Sequence, residues 1–164
     1  MSASGVLYVH SALPALCPHV EWAVAGAVGT PVTLPWVQQP AAPGSLRAEL
    51  SWEGGTGTAA AIASALRGWH RLRFEVTEDP SPGADGVRYS ATPSLGMFTA
   101  AVGASGDIQV PENRLRAAMQ QAASGGSSLE EQLHALLGGP WDEELESFRY
   151  AGEGAPVRWL HAAV

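Results

Sequence analysis

Apolar and polar side chains alternate in two segments of the first half of the chain, residues 46–53 and 71–78. A period of two is typical of a strand with one buried and one polar face. On this pattern the polar faces carry Arg47 on the first segment and Arg71 and Arg73 on the second. The two segments are therefore predicted to be strands with ionic outer faces.

The segments around these two strands predict a β-α-β-β-α-β order. Apolar runs predict strands, and apolar positions spaced at three and four residues predict helices. The predicted elements are strand 6–10, helix 17–28, strand 32–38, strand 46–53, a helix after the glycine-rich segment 54–58, and strand 71–78. This is the split arrangement of ferredoxin-like folds, with both helices on one face of the sheet. We therefore predict a ferredoxin-like core over residues 5–79.

Residues 80–164 are predicted to extend this core by further strands and a helical C-terminal segment. The predicted elements are strands 87–92, 97–102 and 157–162 and helices 112–123, 129–137 and 142–150. Ser128 and Glu131 form the S-x-x-E pattern of a capping box, and Asp142 is predicted to cap the last helix. No stretch is long enough for a domain linker. Residues 1–164 are therefore expected to form a single α+β domain.

Charge and composition limit the partners and the compartment. The 164 residues carry 16 Asp and Glu against 9 basic residues, all of them Arg, for a net charge of −7. An acidic chain without lysine suits phosphate backbones poorly, so we expect no nucleic-acid partner. The absence of a long apolar run predicts no membrane span, and a single cysteine without a signal segment predicts a soluble, cytoplasmic protein.

Five side chains on the polar sheet face form the candidate ligand-binding site. Tyr8 and His10 on the first strand are predicted to lie on the same side as the three arginines, which gives the set Tyr8, His10, Arg47, Arg71 and Arg73. Guanidinium groups bind carboxylates and phosphates in a bidentate manner, so this platform suits a small anionic ligand. Two other outcomes stay open. The arginines could pair with glutamates across the sheet, or the C-terminal half could cover this face.

Other chemistry has weaker support. Cys17 at a helix start, with His10 or His19 nearby, has the residue types of a nucleophile and its base, although a lone cysteine is more often a small buried hydrophobe. The glycine-rich segment 54–58 either binds an anion or forms a tight turn in which Thr56 or Thr58 caps the helix. No cofactor or catalytic residue is predicted. No metal site is predicted either, because zinc needs three or four ligands and the chain has no repeated Cys/His pairs.

Several segments of the first hundred residues resemble a known family. They are GVLYVHSA (5–12), ALCPHVEWA (15–23), RAELSW (47–52), ASALRGW (63–69), EVTEDPSPGADGVRYS (75–90) and TPSLGMF (92–98). Together they resemble an uncharacterised family of short actinobacterial proteins that is known only as a domain of unknown function. The resemblance implies proximity to fatty-acid-synthesis genes and hence a link to acyl metabolism. It implies no catalytic or binding residues.

The function that these observations favour is a non-enzymatic binding or regulatory module. It would engage a protein or a small acidic ligand through the polar sheet face or an exposed sheet edge. The first alternative is an enzyme acting on an acyl thioester, with His10 or Cys17 in the chemistry. The second is a structural subunit that assembles through the apolar helices of 112–137, and the sequence leaves the oligomeric state open.

Overall fold

One antiparallel sheet runs through both halves of the chain in the computed structural model, which describes residues 1–151. Its strands are β1 (Ser2–Ala12), β2 (Val37–Gln38), β3 (Leu46–Gly55), β4 (Arg73–Glu78), β5 (Gly86–Thr92), β6 (Gly96–Val102) and β7 (Ile108–Gln109). They are ordered β2-β3-β1-β4-β5-β6-β7, and every neighbouring pair is antiparallel. The predicted mixed α+β class is confirmed.

The described residues also form five helices. They are α1 (Cys17–Val28), α2 (Thr58–Leu66), α3 (Glu112–Ala123), α4 (Leu129–Leu136) and α5 (Gly139–Arg149), and a short 3₁₀ turn at Pro14–Leu16 precedes α1. Helices α1 and α2 pack against one face of the sheet, and α5 packs against the other. Strand β1 is therefore central, and its residues from Val6 to Ala12 are buried on both faces.

The main apolar core lies between the sheet and the first two helices. It joins side chains of β1 and β4 to the inner faces of α1 and α2, and its fully buried members include Leu7, Val20, Val24, Ala59, Ile62, Leu66 and Val76. Burial of apolar area at this interface supplies the main favourable free energy of folding. The predicted helix after the glycine-rich segment is confirmed.

Residues typical of helix ends correctly predicted the bounds of one helix and the cap of another. Helix α1 has the predicted bounds, with Pro18 in its first turn and Gly29 in the left-handed region at φ 85° after its last residue. These are the positions that favour proline and glycine. At α4 the capping box is formed in both directions, since Ser128 accepts from the Glu131 N–H while Glu131 accepts from the Ser128 N–H.

The predicted strand 32–38 is wrong over most of its length, because only Val37–Gln38 pairs with β3. Proline lacks the N–H that a sheet ladder needs, and Pro31 and Pro35 bracket the first part of the segment. A side chain of α1 holds that part instead. The Glu21 carboxylate accepts from the Leu34 N–H at 2.8 Å and from the Trp36 indole N–H at 3.1 Å.

The predicted cap of α5 is also wrong. The helix begins at Gly139, after Gly138 in the left-handed region at φ 78°, so Asp142 lies in its first turn and does not cap it. The predicted final strand 157–162 lies outside the described residues.

The α3–α4 hairpin exposes several apolar side chains. Ala118 is the buried residue of α3, whereas Leu115, Met119, Leu129 and Leu137 are large and exposed. Assembly through this hairpin stays a prediction. Within residues 1–151, no helix has the length and apolar character that crossing a membrane requires.

Candidate functional site

The polar sheet face predicted from the sequence lies beneath α5. Tyr8 on β1 is opposite Glu75 on β4, and Glu75 is opposite Ser90 on β5, so the three side chains share one side of the sheet. The same side of β4 carries Arg73, whose guanidinium lies 4.6 Å from the centre of the Phe148 ring of α5. Of the outcomes that the sequence left open, the structure shows the C-terminal half covering this face.

An ionic cluster joins α5 to the sheet. The Glu75 carboxylate lies 2.7 Å from the His10 Nε2 and accepts from the Ser90 hydroxyl at 2.9 Å and the Arg149 Nε–H at 2.9 Å. Asp142 then accepts from Arg149 at 3.0 Å and from Arg88 at 2.7 Å. Glu75 is completely buried. The contact between sheet and helix is therefore ionic at this point, with each charge paired.

Pairing sets the protonation of this cluster. Burial raises the pKa of the Glu75 carboxyl, but hydrogen bonds and charges from His10 and Arg149 outweigh it, and the pKa lies well below its ordinary value. Burial lowers the pKa of Arg149, and the hydrogen bond and charge of Glu75, together with Asp142, raise it above its ordinary value. Both groups are therefore charged across the neutral range.

The structure separates the five predicted site residues into two groups. Tyr8, His10 and Arg47 are buried; Tyr8 stacks on His10 with ring centres 6.0 Å apart, and Arg47 donates to the Ala151 carbonyl. Arg73 is half-buried beside Phe148. Arg71 alone of the five is exposed, and it lies in the turn that precedes β4, although the predicted strand 71–78 included it.

A chain of polar contacts runs from Arg73 to the turn between β5 and β6. The Arg73 Nε lies 3.5 Å from the Glu144 carboxylate of α5. Glu144 in turn accepts from the hydroxyls of Thr92 and Ser94, and the Thr92 oxygen accepts from the Leu95 N–H at 3.1 Å. The β5–β6 turn is thereby fixed against α5.

The glycine-rich segment 54–58 already holds an anion from the chain itself. The buried Glu78 carboxylate of β4 accepts from the Gly57 N–H at 3.0 Å and from the Ala59 N–H at 3.1 Å. Gly57 occupies the cap position at φ 93°, and Thr58 donates to the Gly55 carbonyl, so neither predicted threonine caps the helix. Free N–H groups at a helix start attract anions, and Glu78 takes that place.

We expect Glu78→Ala to lower the free energy of unfolding by about 2 kcal/mol, because the first N–H groups of α2 lose their acceptor and the helix dipole loses its counter-charge. Urea unfolding followed by circular dichroism measures the change. Glu53→Ala, at an exposed position of β3, should stay within about 0.5 kcal/mol of the unsubstituted protein. Equal midpoints for the two variants would show that Glu78 does not cap α2.

Cys17 has the environment of a core thiol. It is buried and donates to the Leu13 carbonyl at 3.6 Å. Burial, followed by the charge of Glu21, raises the pKa of this thiol, whereas a nucleophilic cysteine needs a lowered one. Among residues 1–151, no three His, Cys, Asp or Glu side chains form a group that could hold a metal ion.

The exposed turn before β4 concentrates unpaired basic groups. In the described part of the chain, the side chains of Arg67, His70 and Arg71 make no hydrogen bond or ion pair and are exposed. Most other arginines of the same part have internal partners; Arg47, Arg73, Arg88, Arg116 and Arg149 do. No acidic residue occurs in the sequence from Arg67 to Arg73. In a chain with a net charge of −7, this turn, residues 67–71, is a local positive surface.

A small cleft opens beside this basic turn. Its volume is about 150 Å³, and it lies between the end of α2 and the β5–β6 turn. Its apolar walls come from Leu66, Trp69, Leu72, Phe74, Ala91 and Met97, while Arg67 and His70 also line it. The cleft and the basic turn together can hold an apolar group that is attached to a carboxylate.

A larger and more open groove lies beside α5. It measures about 600 Å³ and is lined by four carboxylates, Asp107, Asp142, Glu143 and Glu146, together with His134 and Arg149. Two of its acids are engaged, since Asp142 pairs with arginines and Glu143 lies 2.9 Å from the His134 Nε2. The surplus of carboxylates makes this groove unfavourable for an anionic ligand.

Sequence reasoning found Arg71 but missed its neighbours. The sequence signal for them was the run RGWHR (67–71), which contains three basic residues and no acidic residue. The cleft beside it had no local pattern, because its walls come from α2, β4, β5 and β6. Arg149 was missed as the partner of Glu75 for the same reason, since the two are 74 positions apart.

Comparison with known proteins gives one family match. The model of the family described as "Protein of unknown function (DUF3145)" matches residues 6–162. No curated protein matches the chain, and no solved structure does. The resemblance to a family of unknown function is confirmed to that extent.

Proposed function

The chain belongs to the DUF3145 family, and because that family has no assigned function, we propose from the geometry that the protein is a non-enzymatic module that binds an acidic partner at the basic turn. The observation that supports this proposal is the set of three exposed basic side chains without internal partners, Arg67, His70 and Arg71. Such groups are free to meet carboxylates of another molecule.

Charge distribution supports the same partner. Outside this turn the described residues carry more acidic than basic side chains, so a carboxylate-bearing molecule is on average repelled elsewhere and attracted to this turn. Electrostatic complementarity of this kind sets orientation and association rate more than it sets affinity. The basic turn would therefore select where the partner lands.

The predicted sheet-face residues take supporting parts in this proposal. Arg71 is retained as a contact residue. Arg73, through Glu144, fixes the β5–β6 turn that forms one wall of the cleft. Tyr8 and His10, beneath α5, belong to the buried layer that holds the helix bearing Glu144, and Arg47 fastens its C-terminal end through the Ala151 carbonyl.

A ferredoxin-like unit over residues 5–79 is the arrangement that we propose to present this turn. The order β2-β3-β1-β4 and the packing of α1 and α2 on one face support it. In that arrangement the basic turn is the connection between the second helix and the fourth strand.

We expect Arg67→Glu and Arg71→Glu each to weaken binding of a fluorescein-labelled decaglutamate peptide by about three- to tenfold, because an attraction becomes a repulsion and each tenfold corresponds to about 1.4 kcal/mol. Fluorescence anisotropy at low ionic strength measures the dissociation constant. Raising the salt concentration should weaken binding of the unsubstituted protein, since the contacts are exposed.

The matched control is Arg114→Glu. Arg114 lies exposed on α3 without a partner in the described part of the chain, so the substitution makes the same change in net charge at a distant position. Its binding should be almost unchanged. Equal losses in all three variants would mean that only net charge matters, and the proposal would then be wrong.

A further inference from the structure

The cleft beside the basic turn has the size of a single apolar side chain. Its volume of about 150 Å³ equals roughly five water molecules at ~30 Å³ each. Pockets that bury most of a small-molecule ligand span about 300–1,000 Å³. A whole small molecule is therefore too large for it, whereas one leucine or phenylalanine side chain fits.

The lining of the cleft suits an anchor residue. Leu72 and Phe74 are almost fully buried, and Ala91 and Met97 close the wall on the strand side. Trp69 is half-buried at the cleft and contacts His19 edge-on, with ring centres 6.4 Å apart. Interface hot spots cluster in well-packed pockets from which surrounding contacts exclude water.

The walls are preformed. The Thr92 hydroxyl donates to Glu144 at 3.0 Å and accepts from the Leu95 N–H at 3.1 Å, which fixes the turn on one side. On the other side the Leu72 N–H donates to the Trp69 carbonyl at 3.1 Å. A pocket that needs no rearrangement loses little conformational entropy when it is filled.

The charges that face the cleft favour an acidic neighbour for this anchor. Arg67 and His70 line it without internal partners in the described residues, and Arg71 follows directly. Glu144 is the carboxylate that contacts the β5–β6 turn, and it is engaged by Thr92, Ser94 and Arg73. A carboxylate placed beside the anchor therefore meets basic groups.

From these observations we infer that the partner is a protein segment in which one leucine- or phenylalanine-sized side chain is flanked by acidic residues, and that this side chain inserts into the cleft between α2 and the β5–β6 turn. The inference rests on the proposed function, because the flanking acids bind the basic turn. It adds the anchor, and with it sequence specificity that charge alone does not give.

The test compares two labelled nonapeptides of equal charge by fluorescence anisotropy. Both have two glutamates at each end and glycine–serine spacers; one has a central leucine and the other a central serine. The unsubstituted protein should bind the leucine peptide at least about tenfold more tightly. Ala91→Met, which fills the cleft, should bring the leucine peptide to the affinity of the serine peptide and leave the serine peptide unchanged.

The outcomes separate the two proposals. If both peptides bind equally and Arg67→Glu weakens both, the anchor inference is wrong and the proposed function stands. If neither peptide binds, or if Arg67→Glu and Arg71→Glu change nothing, both proposals are wrong. Met97→Ala serves as a second variant if Ala91→Met does not fold: by enlarging the cleft it should shift preference from the leucine peptide towards a phenylalanine peptide, and an unchanged preference counts against the anchor.

Discussion

Glu75→Gln is expected to lower the free energy of unfolding by about 3 kcal/mol at neutral pH. Removing one partner of a buried ion pair typically costs about 3–5 kcal/mol, because the remaining charge is left without compensation. Here the loss falls at the lower end, since Asp142 still pairs with Arg149 and Arg88. Denaturant unfolding at pH 7 measures the change, and Glu53→Gln at an exposed position of β3 is the matched control.

The same variant should also change the dependence of stability on pH. The pKa of Glu75 in the folded protein lies below its ordinary value of 4.5, so the folded state favours the ionised form. Its stabilising contribution is complete above the ordinary value and is lost as the pH falls towards the folded pKa. The difference in stability between the unsubstituted protein and Glu75→Gln should therefore narrow as the pH falls below 4.5. A constant difference between pH 4.5 and pH 3 would contradict the lowered pKa.

Local patterns predicted most of the helices and strands. Alternation over 46–53 corresponds to β3, and helix α1 has the predicted bounds because Pro18 and Gly29 mark its ends. These are short-range signals, in which a residue and its near neighbours decide the outcome. One exception is the predicted strand 32–38. Its prolines lack the N–H groups that a strand needs, and the Glu21 carboxylate accepts from the Leu34 N–H and the Trp36 indole N–H instead.

The environment of the polar face could not be predicted in this way. Alternation shows that Arg47 and Arg73 point away from α1 and α2, but it does not show what lies over them. The covering helix α5 is distant in sequence, and its own pattern does not identify Glu75 as the partner of Arg149. Glu78 and Gly57 are likewise joined only by the folded chain. Buried polar groups need partners, yet a single sequence does not say which ones.

The candidate site, too, was predicted only in part from local patterns. Arg71 was predicted as a ligand contact because its strand was extended too far towards the N-terminus; the structure places it in a turn and exposed. In this turn Arg71 lies next to Arg67 and His70. The basic surface therefore lies away from the centre of the sheet, where the sequence had predicted it. The prediction of an anion-binding surface therefore survives as a proposal at a different place on the molecule.

Gly5→Ala is expected to destabilise the protein by about 3 kcal/mol or more. A Cβ atom at this position would overlap the Thr77 carbonyl oxygen and would lie 2.6 Å from the Cζ2 atom of Trp52. Overpacking usually costs about 1–3 kcal/mol, and the cost is larger where the obstacle is backbone that cannot rotate away. Thr77 is fixed, since its hydroxyl accepts from the Val6 N–H at 3.2 Å. Denaturant unfolding measures the change.

The control for this prediction is Gly55→Ala, also in a strand paired with β1, where an added Cβ meets nothing within 4 Å. Its stability should be equal to or slightly above that of the unsubstituted protein, because alanine reduces the entropy of the unfolded chain. Adding Trp52→Leu to Gly5→Ala should recover only a minor part of the loss, because the overlap with the Thr77 carbonyl remains. Full recovery would show that the obstacle is the indole ring, and that β1 and β4 do not require glycine for their close approach.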